Sequence, residues 1–348
     1  MKKINIFLLM ILCIITLTSC KQDNEKKQKI SNQAIDENNN QLIVEEIEKK
    51  ANEVVINQDK VTFKDSLNDE ITIKKSPKRV IGIFNSYTNL WYEAGGKIIG
   101  RMKNTNELNE NAKDDGKNII VGDSNTTISL ELIVNANPDL VILSGSHTGQ
   151  GRGLINGLKE NNIDYIAMDY KGLSDYLKWL KVFSFLNDTD DYQTTGKKII
   201  KNISNIIALV PKGSQIKGLL IFGTTKDLKA YLSNTANGEM LKYLGIKNIG
   251  DSWTSENITS IVINEEYVMA EDPKFIFVQS MSDETKVKNL FEERYSQKWK
   301  NLDALKNDKL YFLERNWYHF KPNKDYDKAF LKLAKLIHPE IYKDFKLE

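Results

Sequence analysis

The apolar positions change period along the chain, and each change marks an element. Short apolar runs at Arg79–Phe84, Lys97–Gly100, Asp139–Leu143 and Ile163–Met168 read as strands. Between them, Tyr87–Gly95, Ser129–Asn135 and Leu154–Asn161 read as helices, with Gly95 and Gly96 stopping the first and Pro138 following the second. Continuously apolar strands alternating with helices predict a mostly parallel sheet covered on both faces. Ahead of this body, Val54–Ile56 and the alternating stretch from Val61 to Ile73 predict an edge hairpin or a lead-in strand.

From Asp188 to Leu209 the period becomes helical and long. Ile199, Ile200, Ile203, Ile206, Ile207 and Val210 recur three and four residues apart, and Thr189-Asp190-Asp191 supplies capping and acidic residues at the start. Pro211 and Gly213 stop the helix. Alternation then resumes with strand Lys217–Phe222, helix Gly238–Leu244, and a strand or helix over Tyr267–Ala270. Strand Phe275–Val278, helix Lys286–Tyr295, strand Lys309–Leu313 and a terminal helix Asp325–Leu336 complete it. Glu131–Leu143 aligns with Glu266–Val278 at an offset of 135 residues, placing Pro138 on Pro273. Two similar α/β lobes on either side of one long helix follow.

The first residues lie outside this pattern. Lys2 and Lys3 precede an apolar run from Ile4 to Leu17 that ends in Leu17-Thr18-Ser19-Cys20, a secretory leader too short for a stable span. The polar stretch Lys21–Asn40 reads as a tether. The expected divisions are a leader over 1–19, a tether and lead-in over 20–60, a first lobe over 61–187, a connecting helix over 188–211 and a second lobe over 212–348. Cleavage before Cys20 removes Cys13 with the leader, so no thiol beyond Cys20 remains for catalysis, disulfides or zinc. It also removes two of 49 basic residues and no acidic ones, leaving 47 against 47, a balance without the basic field of a nucleic-acid binder.

Candidate chemistry gathers after strands. The loop Ser144–Gly153 holds Gly145, Gly149, Gly151 and Gly153, but neither the dinucleotide spacing nor a following Lys-Ser or Lys-Thr is present. His147 and Arg152 instead stand where a loop leaves the carboxyl end of a strand, the usual place for an α/β ligand site. His319 lies in Arg315-Asn316-Trp317-Tyr318-His319-Phe320, a candidate aromatic ligand wall. Arg101, Arg152, Arg294 and Arg315 suit carboxylate or chelate oxygens. No metalloprotease histidine pair and no Gly-x-Ser-x-Gly elbow occurs, so the reading is a binding protein and not an enzyme.

Four stretches together resemble bacterial ABC-transporter substrate-binding proteins of the helical-backbone type, which take iron–siderophore complexes, haem or cobalamin. They are Ser76–Gly100, Leu130–Leu143, the helix through Ile199–Leu209, and Trp299–Tyr342, so the likeness covers about residues 76–345. Leu17–Cys20 is also similar to a lipobox, which implies lipid attachment at Cys20 and an extracytoplasmic, membrane-anchored protein. The resemblance implies an α/β fold of two Rossmann-like lobes, with central mostly parallel sheets joined by a single long backbone helix. It implies capture between the lobes and delivery to a permease and its ATPase, by a protein with no cofactor of its own and expected to be monomeric.

For a ferric siderophore, the ligand residues implied are Arg101, Arg152, Tyr231, Trp317 and Tyr318. For haem, His147 would stand opposite Tyr231 or His319, with His147 or His319 on the iron; cobalamin would want an aromatic, mostly neutral cleft. Glu284 sits where the family carries a permease-docking acid on the second lobe. The matching first-lobe positions are Thr148, Gln150 and Arg152, which lack an acid, and this leaves open a lipid-anchored binding module with no transport role.

Overall fold

The computed structural model describes residues 41–104, 108, 118–123, 127–145 and 153–348. Its compact body is Ile47–Glu348. Helix 41–52 leads into an antiparallel meander of β1 (Val55–Asn57), β2 (Lys60–Lys64) and β3 (Glu70–Lys74). Period-two alternation explains its single buried face: Val61, Phe63 and Ile73 point inward, and Phe63 meets the edge of Trp179 at 5.6 Å. The alternating lead-in is therefore a small sheet of its own.

The first lobe holds β4 (Val80–Gly82), β5 (Gly100–Met102), β6 (Ile119–Gly122), β7 (Leu140–Ser144) and β8 (Tyr165–Met168). All pairs are parallel, in the order β6-β5-β4-β7-β8. β4, β7 and β8 are buried along their whole length, as expected where helices cover both faces. The first helix is Asn85–Glu93, two residues earlier than expected, and β5 begins at the end of the apolar run Lys97–Gly100. Ile99 starts that ladder, donating to Val80 O at 2.8 Å. Helix Leu130–Asn135 is capped by Ser129, whose side chain accepts from Leu132 N.

Helix Leu173–Asn187 closes the first lobe and ends at Asp188, which takes a left-handed φ of 57°. The connector follows as a π turn, Tyr192–Gly196, running directly into helix Lys197–Ala208. Its isoleucine stripe is buried as the spacing predicts, at about 1.5–3 kcal/mol for each side chain. Part of the facing surface is helix Tyr326–Ile337: Asn202 donates to Asp327 at 2.7 Å between the two, and Tyr342 donates its hydroxyl to Ile206 O at 2.6 Å.

The second lobe holds β9 (Ile216–Gly223), β10 (Leu228–Tyr231), β11 (Ile246–Asn248), β12 (Ser260–Val262), β13 (Phe275–Ser280) and β14 (Leu310–Leu313). The order is β12-β10-β9-β13-β14, with β11 also paired to β9. β11, β9, β13 and β14 run parallel, while β10 and β12 are antiparallel additions. The repeat is visible here. Helix Leu130–Asn135 with β7, and helix Glu265–Glu271 with β13, start 135 residues apart, so Tyr267–Ala270 is helical. In both sheets the chain order reverses beside the first strand, at β4/β7 and β9/β13, which puts the crevices at the carboxyl ends of those strands.

Candidate functional site

At the carboxyl end of β4, Phe84 and Tyr87 pack ring to ring at 4.6 Å. Burial, with Asp169 adding to it, raises the Tyr87 hydroxyl above the usual tyrosine range, so it stays a neutral donor. Past the carboxyl end of β8 come Asp169 and Tyr170. Tyr170, Tyr176 and Tyr326 form a buried cluster with centroids 5.5–6.4 Å apart, and Tyr326 belongs to the segment after β14.

This cluster is the floor of a seam between the lobes, and other contacts cross it. Asn323 Nδ2 donates to Glu93 Oε1 at 3.2 Å, and Leu173 N donates to Glu239 Oε2 at 3.2 Å. Gly172 permits the second contact, because a Cβ there would lie 2.2 Å from Glu239 Oε2. Burial pushes the Glu93 carboxyl up to about 7, against the Asn323 hydrogen bond and the Lys324 charge, with Asp325 adding to the rise. Glu93 Oε2 and Asn323 Oδ1 are buried with no hydrogen-bond partner among the described residues.

On the second-lobe side, Tyr231 ends β10 with its ring 5.0 Å from Phe222, and burial raises its hydroxyl. Gln279, buried at the end of β13, places Nε2 3.4 Å from His319 Nδ1. Gln279 Oε1 in turn accepts from Asn237 Nδ2 at 2.5 Å, and the same amide donates to Tyr318 O at 2.9 Å. Burial, with Arg315 and Lys321 beside it, pushes the His319 imidazole down to about 4, so it is neutral at physiological pH.

The expected site residues fall into distinct groups. His319 lies beside Gln279 near the carboxyl end of β13, while Tyr231 ends the antiparallel β10, set back from the carboxyl end of β9. Arg101 lies on β5 with Nη1 donating to Met102 O at 2.9 Å, while its buried Nε has no partner among the described residues. Trp317 lies on the short helix Arg315–Tyr318, with the Lys332 ammonium 5.2 Å from its ring. Tyr318 is buried and donates to Ala329 O at 3.0 Å, which ties the wall to the C-terminal helix. His147, Arg152 and Cys20 lie outside the described residues.

Glu284 opens helix Glu284–Phe291, where Asp283 caps Lys286 N at 2.9 Å. Glu284 Oε1 accepts from Arg315 N at 2.9 Å. The two acids line an open groove of about 480 Å³ with Thr285, Glu314, Arg315 and Asn316, just beyond the carboxyl ends of β13 and β14. Among the described residues no cluster of His, Cys, Asp and Glu could hold a metal ion.

Two mostly parallel sheets with reversal-point crevices, a long connector and polar groups on a shared seam define a two-lobed binding protein. Residues 80–316 match the family described as Periplasmic binding protein, and the chain belongs to that family of ABC-transporter substrate-binding proteins. The ABC transporter substrate-binding lipoprotein YvrC of Bacillus subtilis is 23% identical over 291 residues, covering 82% of this chain and 87% of the relative. The iron(3+)-hydroxamate-binding protein FhuD of the same organism is 26% identical over 265 residues, covering 73% and 79%. Among solved structures, SirA of Staphylococcus aureus complexed with staphyloferrin B superposes with a TM-score of 0.62 at 20% identity, covering 82% of this chain and 99% of that one.

Proposed function

We propose that this chain is the lipid-anchored, extracytoplasmic receptor of an importer and captures a ferric siderophore at the seam between its lobes. The observation that carries the reading is the set of contacts crossing the seam: Tyr326 packs on Tyr170 and Tyr176, Asn323 donates to Glu93, and Leu173 N donates to Glu239. Tyr87, Tyr231 and His319 are the proposed ligand-facing groups beside it. Aromatic faces and neutral donors suit a chelate that is apolar outside and oxygen-rich around its metal. The iron(3+)-hydroxamate specificity in the name of one relative supports the same class. Arg101, Trp317, His147 and Arg152 complete the proposed ligand group, with Tyr318 bracing the wall from behind. Loaded protein would then dock on the permease through the acidic groove at Glu284.

Haem is the second reading, because a neutral His319 imidazole can ligate iron. Titration of the purified protein with ferric hydroxamate, catecholate and citrate complexes, haem and cobalamin, followed by absorption and tryptophan quenching, separates these. Saturable binding of a ferric chelate is expected. A Soret shift lost in His319→Ala would replace siderophore by haem, and no binding across the panel would overturn the proposal.

A further inference from the structure

Lys321 lies in the strained stretch Lys321-Pro322-Asn323 at the seam. It has φ 72° and Asn323 has φ 48°, both left-handed for non-glycine residues. A residue before proline is restricted further, so Lys321 is held in a doubly unfavourable conformation. The result is specific: Asn323 meets Glu93, and the Lys321 stem crosses to the first lobe, its ammonium 5.3 Å from the centroid of the Tyr170 ring.

That ammonium has no hydrogen bond and no ion pair among the described residues, although burial pulls its pKa below the usual lysine range. Asp169, Asp175 and Glu239 act on it from a distance, and each contacts another group directly. Asp169 faces Lys171 at 3.3 Å, Asp175 binds Lys50 at 2.6 Å, and Glu239 accepts from Leu173 N. A partly buried cation with three donors and no acceptor among the described residues is costly unless an anion arrives to use it. His319, two residues away, is neutral and brings no competing charge.

Resting on the reading of the seam as the ligand site, we infer that Lys321 is its anion receptor, and that the preferred ligand is a ferric chelate bearing carboxylates. Tyr170 presents a π face under the ammonium and holds it without neutralising it. An incoming carboxylate then forms a charge-assisted bond to the ammonium.

The test compares wild type, Lys321→Gln and Lys321→Arg in titrations with ferric citrate and with a neutral ferric trihydroxamate, alongside thermal unfolding of each variant. Lys321→Gln should weaken ferric citrate by about thirtyfold or more, as expected for loss of one buried charged partner. It should leave the trihydroxamate within about twofold, and Lys321→Arg should recover most of the citrate affinity. Equal weakening of both chelates with a lower unfolding temperature would make Lys321 a counter-charge to the three acids and overturn the inference. Binding of the trihydroxamate alone would also overturn it while leaving the siderophore proposal intact. Binding of neither chelate overturns it as well, and the wider panel then decides the fate of the proposal beneath it.

Discussion

Replacing Glu93 by glutamine should stabilise the protein, and only at the alkaline end. In the folded chain its carboxyl titrates at about 7, against an ordinary value of 4.5. Below about pH 4.5 the group is protonated in both the folded and the unfolded chain, so it contributes no difference. As pH rises from there, the unfolded chain ionises first and wild-type stability falls. Above about pH 7 the loss is complete, about 3 kcal/mol for a shift of this size. Glutamine carries no such charge, and its amide can donate to Asn323 Oδ1 while its carbonyl keeps the bond from Asn323 Nδ2, which serves both orphaned oxygens' neighbourhood. Urea unfolding at pH 4.5, 6 and 8 measures the difference. Glu93→Gln should match wild type at the lowest pH and exceed it by up to about 3 kcal/mol at pH 8, with an unfolding temperature about 6 °C higher there. A stability difference that does not change across that range would refute the reasoning.

Glu48 is buried and accepts from Tyr192 Oη at 2.7 Å and from Lys197 at 2.5 Å, so Glu48→Ala should cost about 2–4 kcal/mol in urea unfolding while leaving ligand affinity unchanged. Trp299 is fully buried in the second-lobe core and stacks on Tyr295 at 4.1 Å; Trp299→Ala should lower stability by about 3–5 kcal/mol, read by the same assay. Cys20→Ser should release the protein from the membrane fraction into the soluble extracytoplasmic fraction, visible by immunoblot. Glu284→Lys should reduce uptake of the iron complex by whole cells, while the purified variant still binds the ferric chelate in titration.

Legibility in the sequence followed the periodicity. The proline-separated helix–strand units at Pro138 and Pro273 were plain, because each strand is apolar throughout and each helix short. Helix Leu173–Asn187 is not legible from periodicity, because it is buried on most sides, Asp175 and Lys178 included, and so shows no single apolar face. β6, β10, β11 and β12 are three or four residues long, below what alternation can reveal. At the site, a histidine among aromatics drew attention to His319. Lys321 and Glu93 gave no signal, because a charged residue on a seam is written with the same letters as one in water. Glu93 and its partner Asn323 are also 230 positions apart, and only the fold brings them together.

The connector between the lobes is held along its length. Its isoleucine stripe, the Asn202–Asp327 bond and the Tyr342 hydroxyl clamp it against the C-terminal helix, while Glu48 fastens the π turn at its start. A shaft fixed at so many points resists bending, so a ligand bound at the proposed seam would rearrange side chains there more than it would swing the lobes. Free and loaded protein would then scatter X-rays almost alike. A transporter distinguishing the two would have to read the filled seam itself, through the few groups at its rim, and not a change in outline.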